Sequence, residues 1–418
     1  MVSQTIGVAP GSASASKAGV AAGRRLRNIF CLDDFEAHAR RHLPRPVFGY
    51  IAGAAETNAS LNQNRDSFQD YAFLPSALVD VSRRSSSLTL FGKTYASPIG
   101  IAPMGLGALS AYRGDVVLAK AAARAGIPMV MSGSSLIRLE EVAQASRDAW
   151  FQAYLPGEPA QISALVERVA RAGFETLVVT VDTPVQANRE NNARNGFSTP
   201  LRPSLRLAWD GLTHPAWLCG TFLRTLAKHG MPHFENNYAT RGAPILSPGV
   251  LRDFSDRGHL TWEHLGAIRR QWRGTLVIKG ILDKGDAVTA CRIGVDGIIV
   301  SNHGGRQLDG SVAPLRVLSS IVEAARDIPV MLDSGVRRGT DVLKAIGLGA
   351  RMAFVGRPFA YAAAIAGEAG VDHGIRLLSD EVMRDMGLLG IQSLPQMGPG
   401  RLVPARNFPA RNFPVSNP

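Results

Sequence analysis

Eight short apolar runs recur along the chain, each rich in branched or aromatic residues and each closed by polar or turn-forming ones. They are IGIAPM (99–104), PMVMS (128–132), WFQAY (150–154), TLVVTVD (176–182), TLVIKG (275–280), GIIVSN (297–302), PVMLDS (329–334) and MAFVGR (352–357). A strand with one solvated face alternates apolar and polar residues, and these runs do not alternate. They are expected to be strands of a parallel sheet covered on its outer face. Between them the apolar spacing becomes helical in DVVLAKAAARAG (115–126), AQISALVERVARAG (160–173), DKGDAVTACRIG (283–294) and RGTDVLKAIGLGA (338–350). Several of these stretches end in Gly, the residue that best terminates a helix. Eight strand-helix repeats predict an α/β fold of the (β/α)8 barrel type, in which chemistry collects at the C-terminal ends of the strands.

The strand ends carry polar groups on that one side: Pro103-Met104-Gly105, Ser132, Gln152 with Tyr154, Thr180 with Asp182, Lys279, Ser301 to Arg306, Asp333, and Gly356-Arg357. Successive runs begin roughly 20 to 30 residues apart, except that the fourth starts at 176 and the fifth at 275. An insertion over about 195–265 is therefore expected on the catalytic face. It contains THPAWLCGTFLRTLAKHG (213–230), where Trp217, Leu218, Phe222, Leu223 and Leu226 fall near helical spacing beside Arg224 and Lys228. Such a segment suits either a membrane surface or a lid packed on the barrel. The barrel is expected over 31–395, preceded by a basic tail (1–30) and followed by a loose end (396–418) holding the repeat PARNFPARNFP.

With 45% hydrophobic and 19% charged residues, the composition is that of a chain with a sizeable core, which excludes disorder throughout. A net charge of +12 favours an anionic partner, whether nucleic acid, a lipid surface or a small acid. No aromatic-basic platform for nucleic acid appears, so that class is set aside. Cys31, Cys219 and Cys291 are odd in number and widely spaced, which argues against a disulfide framework or zinc site and for a reducing compartment. No apolar run is long enough to span a bilayer. The first 30 residues lack acids and an apolar core, and read as a disordered tail in preference to a targeting segment.

Loops after the seventh and eighth strands of such barrels commonly hold phosphate. Here DSGVRRGTD (333–341) and GRP (356–358) combine glycines with Arg337 or Arg338 and Arg357. His303 suits a general base because imidazole titrates near pH 6.5, and Asp182 ends a strand on the same face. Arg306 and Arg189 suit a carboxylate, with Tyr154 and Tyr50 as hydroxyl donors. A silent barrel holding a phosphorylated ligand is the competing class, and it gives no reason for His303, Asp182 and Arg306 to occur together.

SNHGGRQLDG (301–310), with TVDTP (180–184), VIKGILD (277–283), DSGVRRGTD and IAPMG (101–105), resembles the FMN-dependent L-2-hydroxy acid oxidising family, which includes L-lactate dehydrogenase, (S)-mandelate dehydrogenase and glycolate oxidase. The resemblance runs from about Leu32 to about Gly390. It implies FMN held by Pro103, Met104, Gly105, Ser132, Gln152, Thr180, Lys279 and Ser301, with its phosphate on Asp333, Gly335, Arg337, Gly356 and Arg357. It implies that His303 is the base, that Asp182 supports it, and that Arg306, Arg189 and Tyr50 hold the substrate carboxylate, with Tyr154 at the hydroxyl. Lys279 would favour negative charge on the reduced flavin.

Three positions depart from the glycolate oxidase pattern: Gly105 stands where Ala is usual, Ser134 replaces a bulky Trp, and Gln186 replaces an apolar residue. Gly105 resembles the dehydrogenases that pass electrons to quinone, and Ser134 leaves room for a larger substrate group. THPAW and VIKGILD resemble bacterial L-lactate dehydrogenases, which are peripheral membrane enzymes. The expectation is therefore an L-lactate dehydrogenase on the inner face of the cell membrane, a homo-oligomer and by resemblance a tetramer. An (S)-mandelate dehydrogenase is the second reading and an oxygen-using oxidase the third.

Overall fold

A computed structural model describes Gly23 and residues 25–247 and 257–405. Most of the basic N-terminal tail and of the C-terminal repeat lies outside the described residues. All eight apolar runs form strands: β1 (Ile99–Ile101), β2 (Val130–Ser132), β3 (Trp150–Ala153), β4 (Thr176–Thr180), β5 (Thr275–Ile281), β6 (Gly297–Val300), β7 (Val330–Asp333) and β8 (Ala353–Val355). They pair in parallel in the order β1-β8-β7-β6-β5-β4-β3-β2. A bridge between Ile101 and Met129 joins the two ends, so the sheet closes on itself. Closure is what removes the edges, and β2, β3, β4, β6, β7 and β8 are buried along their whole length.

Eight helices coat the barrel: α1 (Gly114–Arg124), α2 (Leu139–Ala145), α3 (Pro159–Arg171), α4 (Trp262–Gln271), α5 (Lys284–Ile293), α6 (Pro314–Ala325), α7 (Gly339–Gly347) and α8 (Arg357–Leu389). α5 shows how the sequence sets such boundaries. Asp283 accepts hydrogen bonds from the amides of Gly285 and Asp286 at its start, and Gly294 (φ 88°) takes the left-handed conformation at its end. α8 carries a kink at Ala366 and Gly367, whose dihedrals are not helical. Inside the barrel Trp150 and Phe354 pack with ring centroids 5.5 Å apart. A Cβ at position 100 would sit 2.5 Å from the Phe354 ring, so glycine in β1 makes room for that aromatic.

Order extends past both expected barrel limits. Ile29 is buried in the core, and Leu402–Pro404 pairs antiparallel with Tyr71–Phe73. Pro404 ends that last strand without disrupting it, because an edge strand of two tolerates a missing donor.

The insertion differs from its sequence reading. Residues 213–230 do not form one amphipathic helix: Pro215–Trp217 and Arg224–His229 are α-helical, and Leu218–Leu223 between them is a π-helix. The wider turn moves the apolar side chains off a single outward stripe. Trp217 instead faces inward, 6% exposed, and its indole N–H donates to the Leu109 carbonyl at 2.8 Å. The outward apolar face belongs to the preceding helix, Leu205–Leu212, where Leu205, Trp209 and Leu212 are exposed. Further on, Asn236 grips the loop after β2 by accepting from the Leu139 amide at 2.9 Å and donating to the Ile137 carbonyl at 2.7 Å. That part of the insertion is packed on the barrel mouth.

Candidate active site

After Val300 the backbone turns through three consecutive residues in the left-handed region, His303 (φ 60°), Gly304 (φ 67°) and Gly305 (φ 75°). A Cβ at Gly305 would meet the Leu61 amide nitrogen at 2.6 Å, so only glycine fits that close approach. His303, which has a side chain, is held in this costly conformation from both sides. Its amide donates to Ser301 Oγ at 3.0 Å, and the Gly304 amide donates to Ser334 Oγ at 3.0 Å. Behind the turn, Asn302 and Asn64 exchange amide hydrogen bonds of 2.8 and 2.7 Å. Asn64 lies on the short polar helix Ala59–Asp66, yet it is buried.

The turn aims the His303 ring into the barrel mouth. Nδ1 lies 2.8 Å from Asp182 Oδ1 and Nε2 lies 3.3 Å from the Tyr154 hydroxyl. A carboxylate at Nδ1 fixes the proton there and leaves Nε2 as the basic atom. Burial pushes the imidazole below its ordinary value, and the charge and hydrogen bond of Asp182 oppose that without reversing it. Burial raises the Asp182 carboxyl in turn, but the facing charges of His303 and Lys279 outweigh it and hold the group low.

These shifts fix the sign of a pH effect. A base at His303 would work in its neutral form, so activity that depends on it would rise with pH through the free-protein value, which lies below the ordinary 6.5. The kcat/KM profile should show its acid limb below that pH and be flat through neutrality. A limb centred above pH 7 would remove His303 as the group that titrates.

Lys279 leaves β5 pointing across the barrel, where its ammonium is 2.7 Å from Ser301 Oγ and 3.1 Å from Asp333 Oδ2. Burial disfavours its charge, but Asp333 and Asp182 outweigh burial and raise it. Arg306 is anchored on the carbonyl end of the helix Arg45–Ala52: its Nη1 donates to the carbonyls of Tyr50 (2.8 Å) and Gly53 (2.6 Å). Its guanidinium also sits 4.9 Å from the Tyr50 ring centre. Burial first, and Arg189 second, pull it down to about 10, a penalty that an arriving anion relieves. Arg189 donates to Gln307 Oε1 at 2.6 Å and to the Arg306 carbonyl at 3.1 Å, which ties the two arginines together.

One cavity of about 710 Å³ joins these groups to the phosphate-type loops. Of the residues expected from sequence, Tyr50, Pro103, Met104, Gly105, Tyr154, Thr180, Arg189, Lys279, His303, Arg306, Asp333, Gly335, Arg337, Gly356 and Arg357 line it. Ser132, Gln152, Asp182 and Ser301 stand behind the wall and reach it through neighbours. The choice between two adjacent arginines is resolved by geometry: Arg337 lines the cavity, whereas Arg338 pairs with Glu381 at 2.8 Å outside it. Arg357 donates to the carbonyls of Ile51, Gly53 and Gly304, so it braces the His303 turn as well as lining the cavity.

The residues fit FMN. Gln152 Nε2 and Thr180 Oγ1 are buried with no hydrogen-bond partner among the described groups, which buried polar atoms rarely tolerate. Thr180 lines the cavity, so the polar edge of a flavin ring offers its hydroxyl a partner. A Cβ at Gly335 (φ 92°) would lie 2.3 Å from the Asn64 carbonyl, so only glycine lets the loop after β7 pack this closely on Asn64 while lining the cavity.

Sequence reading missed Asn64, Ser334 and Arg257. Arg257 lies at the end of the insertion, where no periodic pattern places it, yet it is 5% exposed and lines the cavity.

The family model for FMN-dependent dehydrogenase matches residues 39–404. The (S)-mandelate dehydrogenase of Pseudomonas putida is 37% identical over 90% of this chain and 94% of that protein. An L-lactate dehydrogenase of Stenotrophomonas maltophilia is 41% identical over 88% of this chain and 97% of that protein. Among solved structures, a monotopic membrane protein (S)-mandelate dehydrogenase superposes with a TM-score of 0.81 and 35% identity, over 90% of this chain and all of that one. The closed barrel, the paired His303 and Asp182, and the cradle that suits a flavin agree with these matches: the chain belongs to the FMN-dependent dehydrogenase family.

Proposed function

We propose that this chain oxidises an L-2-hydroxy acid to the 2-keto acid. The observation that carries the reading is His303 Nε2, oriented by Asp182 at 2.8 Å, in one cavity with two arginines suited to a carboxylate. Arg306 and Arg189, with Tyr50, bind the carboxylate as a two-pronged partner. Tyr154 donates to the substrate oxygen, and His303 Nε2 accepts the substrate's proton while Asp182 stabilises the imidazolium. FMN, when bound, supplies the two-electron acceptor; Lys279, Thr180 and Pro103 to Gly105 would hold its ring, with Ser132, Gln152 and Ser301 supporting them from behind the wall, and Asp333, Gly335, Arg337, Gly356 and Arg357 would hold its phosphate end. L-lactate is the parent substrate, and (S)-mandelate is the second, favoured by the space that Ser134 leaves.

The electrons pass to a quinone-type acceptor at a membrane, with the protein a homotetramer on the inner face. Among the described residues no helix is long and apolar enough to cross a bilayer. Leu205 (92% exposed), Trp209 (66%) and Leu212 (64%) form an outward apolar stripe beside exposed Arg202 and Arg206, which suits an anionic lipid surface. Holoprotein should float with anionic vesicles, and Leu205→Ser with Trp209→Ser should abolish flotation; undiminished flotation of that double variant would remove this helix from the contact. After anaerobic reduction, a short-chain quinone should restore the flavin spectrum far faster than dioxygen, and the reverse order would make the protein an oxidase.

A further inference from the structure

Among the described residues, Arg257 is the cavity-lining arginine that the proposed reaction leaves unused. Its guanidinium carbon lies 5.4 Å from the centre of the Tyr154 ring, the same ring whose hydroxyl contacts His303 Nε2. The side chain is buried within the insertion's return to the barrel, so its charge is largely withdrawn from water. It keeps other contacts within the protein while bordering the cavity. The cavity wall also carries Gln186, a polar residue where a methyl or phenyl group calls for an apolar one. Arg306 and Arg189 already suffice for one carboxylate, and a further guanidinium beside the Tyr154 ring serves none of the steps assigned to that group.

We infer that Arg257 recognises a second anionic group on the substrate, so that the site favours L-2-hydroxy diacids, such as 2-hydroxysuccinate or 2-hydroxyglutarate, over uncharged analogues of the same length. Arg257 here is a specificity residue: it meets the distal carboxylate, while His303 and Arg306 act at the other end. A desolvated cation facing a cavity favours the ligand that brings a negative charge and disfavours one that brings a methyl. This inference rests on the hydroxy acid reading and narrows its substrate.

The test compares matched pairs on the FMN-loaded protein: L-2-hydroxysuccinate against L-2-hydroxybutyrate, and L-2-hydroxyglutarate against L-2-hydroxyvalerate, with L-lactate and (S)-mandelate alongside. The diacid of at least one pair should exceed its partner in kcat/KM by about tenfold or more. Arg257→Gln should collapse that ratio by about tenfold, through KM, and Arg257→Lys should restore part of it. The D-enantiomer of the favoured diacid should perturb the oxidised flavin spectrum as a dead-end ligand, and Arg257→Gln should weaken its Kd in parallel. Flavin content after purification checks that the variants fold. Reduction by the monoacids in preference to both diacids, or a ratio unchanged in Arg257→Gln, overturns the inference and leaves the hydroxy acid reading intact. Reduction by none of the six acids overturns both.

Discussion

His303→Asn is expected to slow flavin reduction by on the order of a thousandfold, the loss typical of removing a positioned general base. Asparagine is the substitution of choice because position 303 has φ 60°, a conformation Asn tolerates better than most residues. The turn that presents Arg306 should therefore survive, and FMN should remain bound. Asn retains hydrogen-bonding atoms but no group that can take a proton near neutral pH, so the defect should lie in kcat more than in KM. Anaerobic stopped-flow mixing with substrate measures it directly. A variant that reduces its flavin within about tenfold of the parent rate would move the base elsewhere.

Lys279→Met is expected to cost about 3–5 kcal/mol of stability, because it leaves the Asp333 carboxylate buried without its cation. The pair lies 3.1 Å apart with side chains only 4% and 8% exposed, so water cannot take the place of the missing charge. Ser301 Oγ loses its 2.7 Å donor in the same step. Denaturant unfolding of the variant gives the loss, and combining it with Asp333→Asn should recover part, since the second change removes the stranded charge. A loss under about 1 kcal/mol would mean that this pair is solvated in the folded protein.

The barrel is legible in the sequence because a covered parallel strand has no polar face to hide. GIIV and TLVVT announce burial on both sides, and every expected strand is found in place. The catalytic face follows from the same rule, since His303, Lys279 and Asp182 all lie where strands end. What escapes is set by contacts distant in sequence. Asn64 looks like a helix-surface residue until Asn302, on another element, is known to face it. Arg338 and Arg337 are equivalent as letters, and Glu381 separates them. In the insertion, where the sequence suits either a membrane surface or a packed lid, a π-helical turn at Leu218–Leu223 breaks the helical periodicity, and the outward apolar stripe lies one helix earlier. Arg257 follows no pattern at all, because a long insertion returns it to the cavity from outside the barrel repeat.

The central claim is that His303, Asp182, Arg306 and Arg189 form one site for the oxidation of an L-2-hydroxy acid by bound FMN. Anaerobic titration of the purified holoprotein with the L and D forms of one such acid tests it most directly. The claim predicts that the L form bleaches the visible flavin band with one keto acid formed per flavin, and that the D form leaves the band oxidised. A protein that carries no flavin, or one bleached equally by both forms, would contradict it.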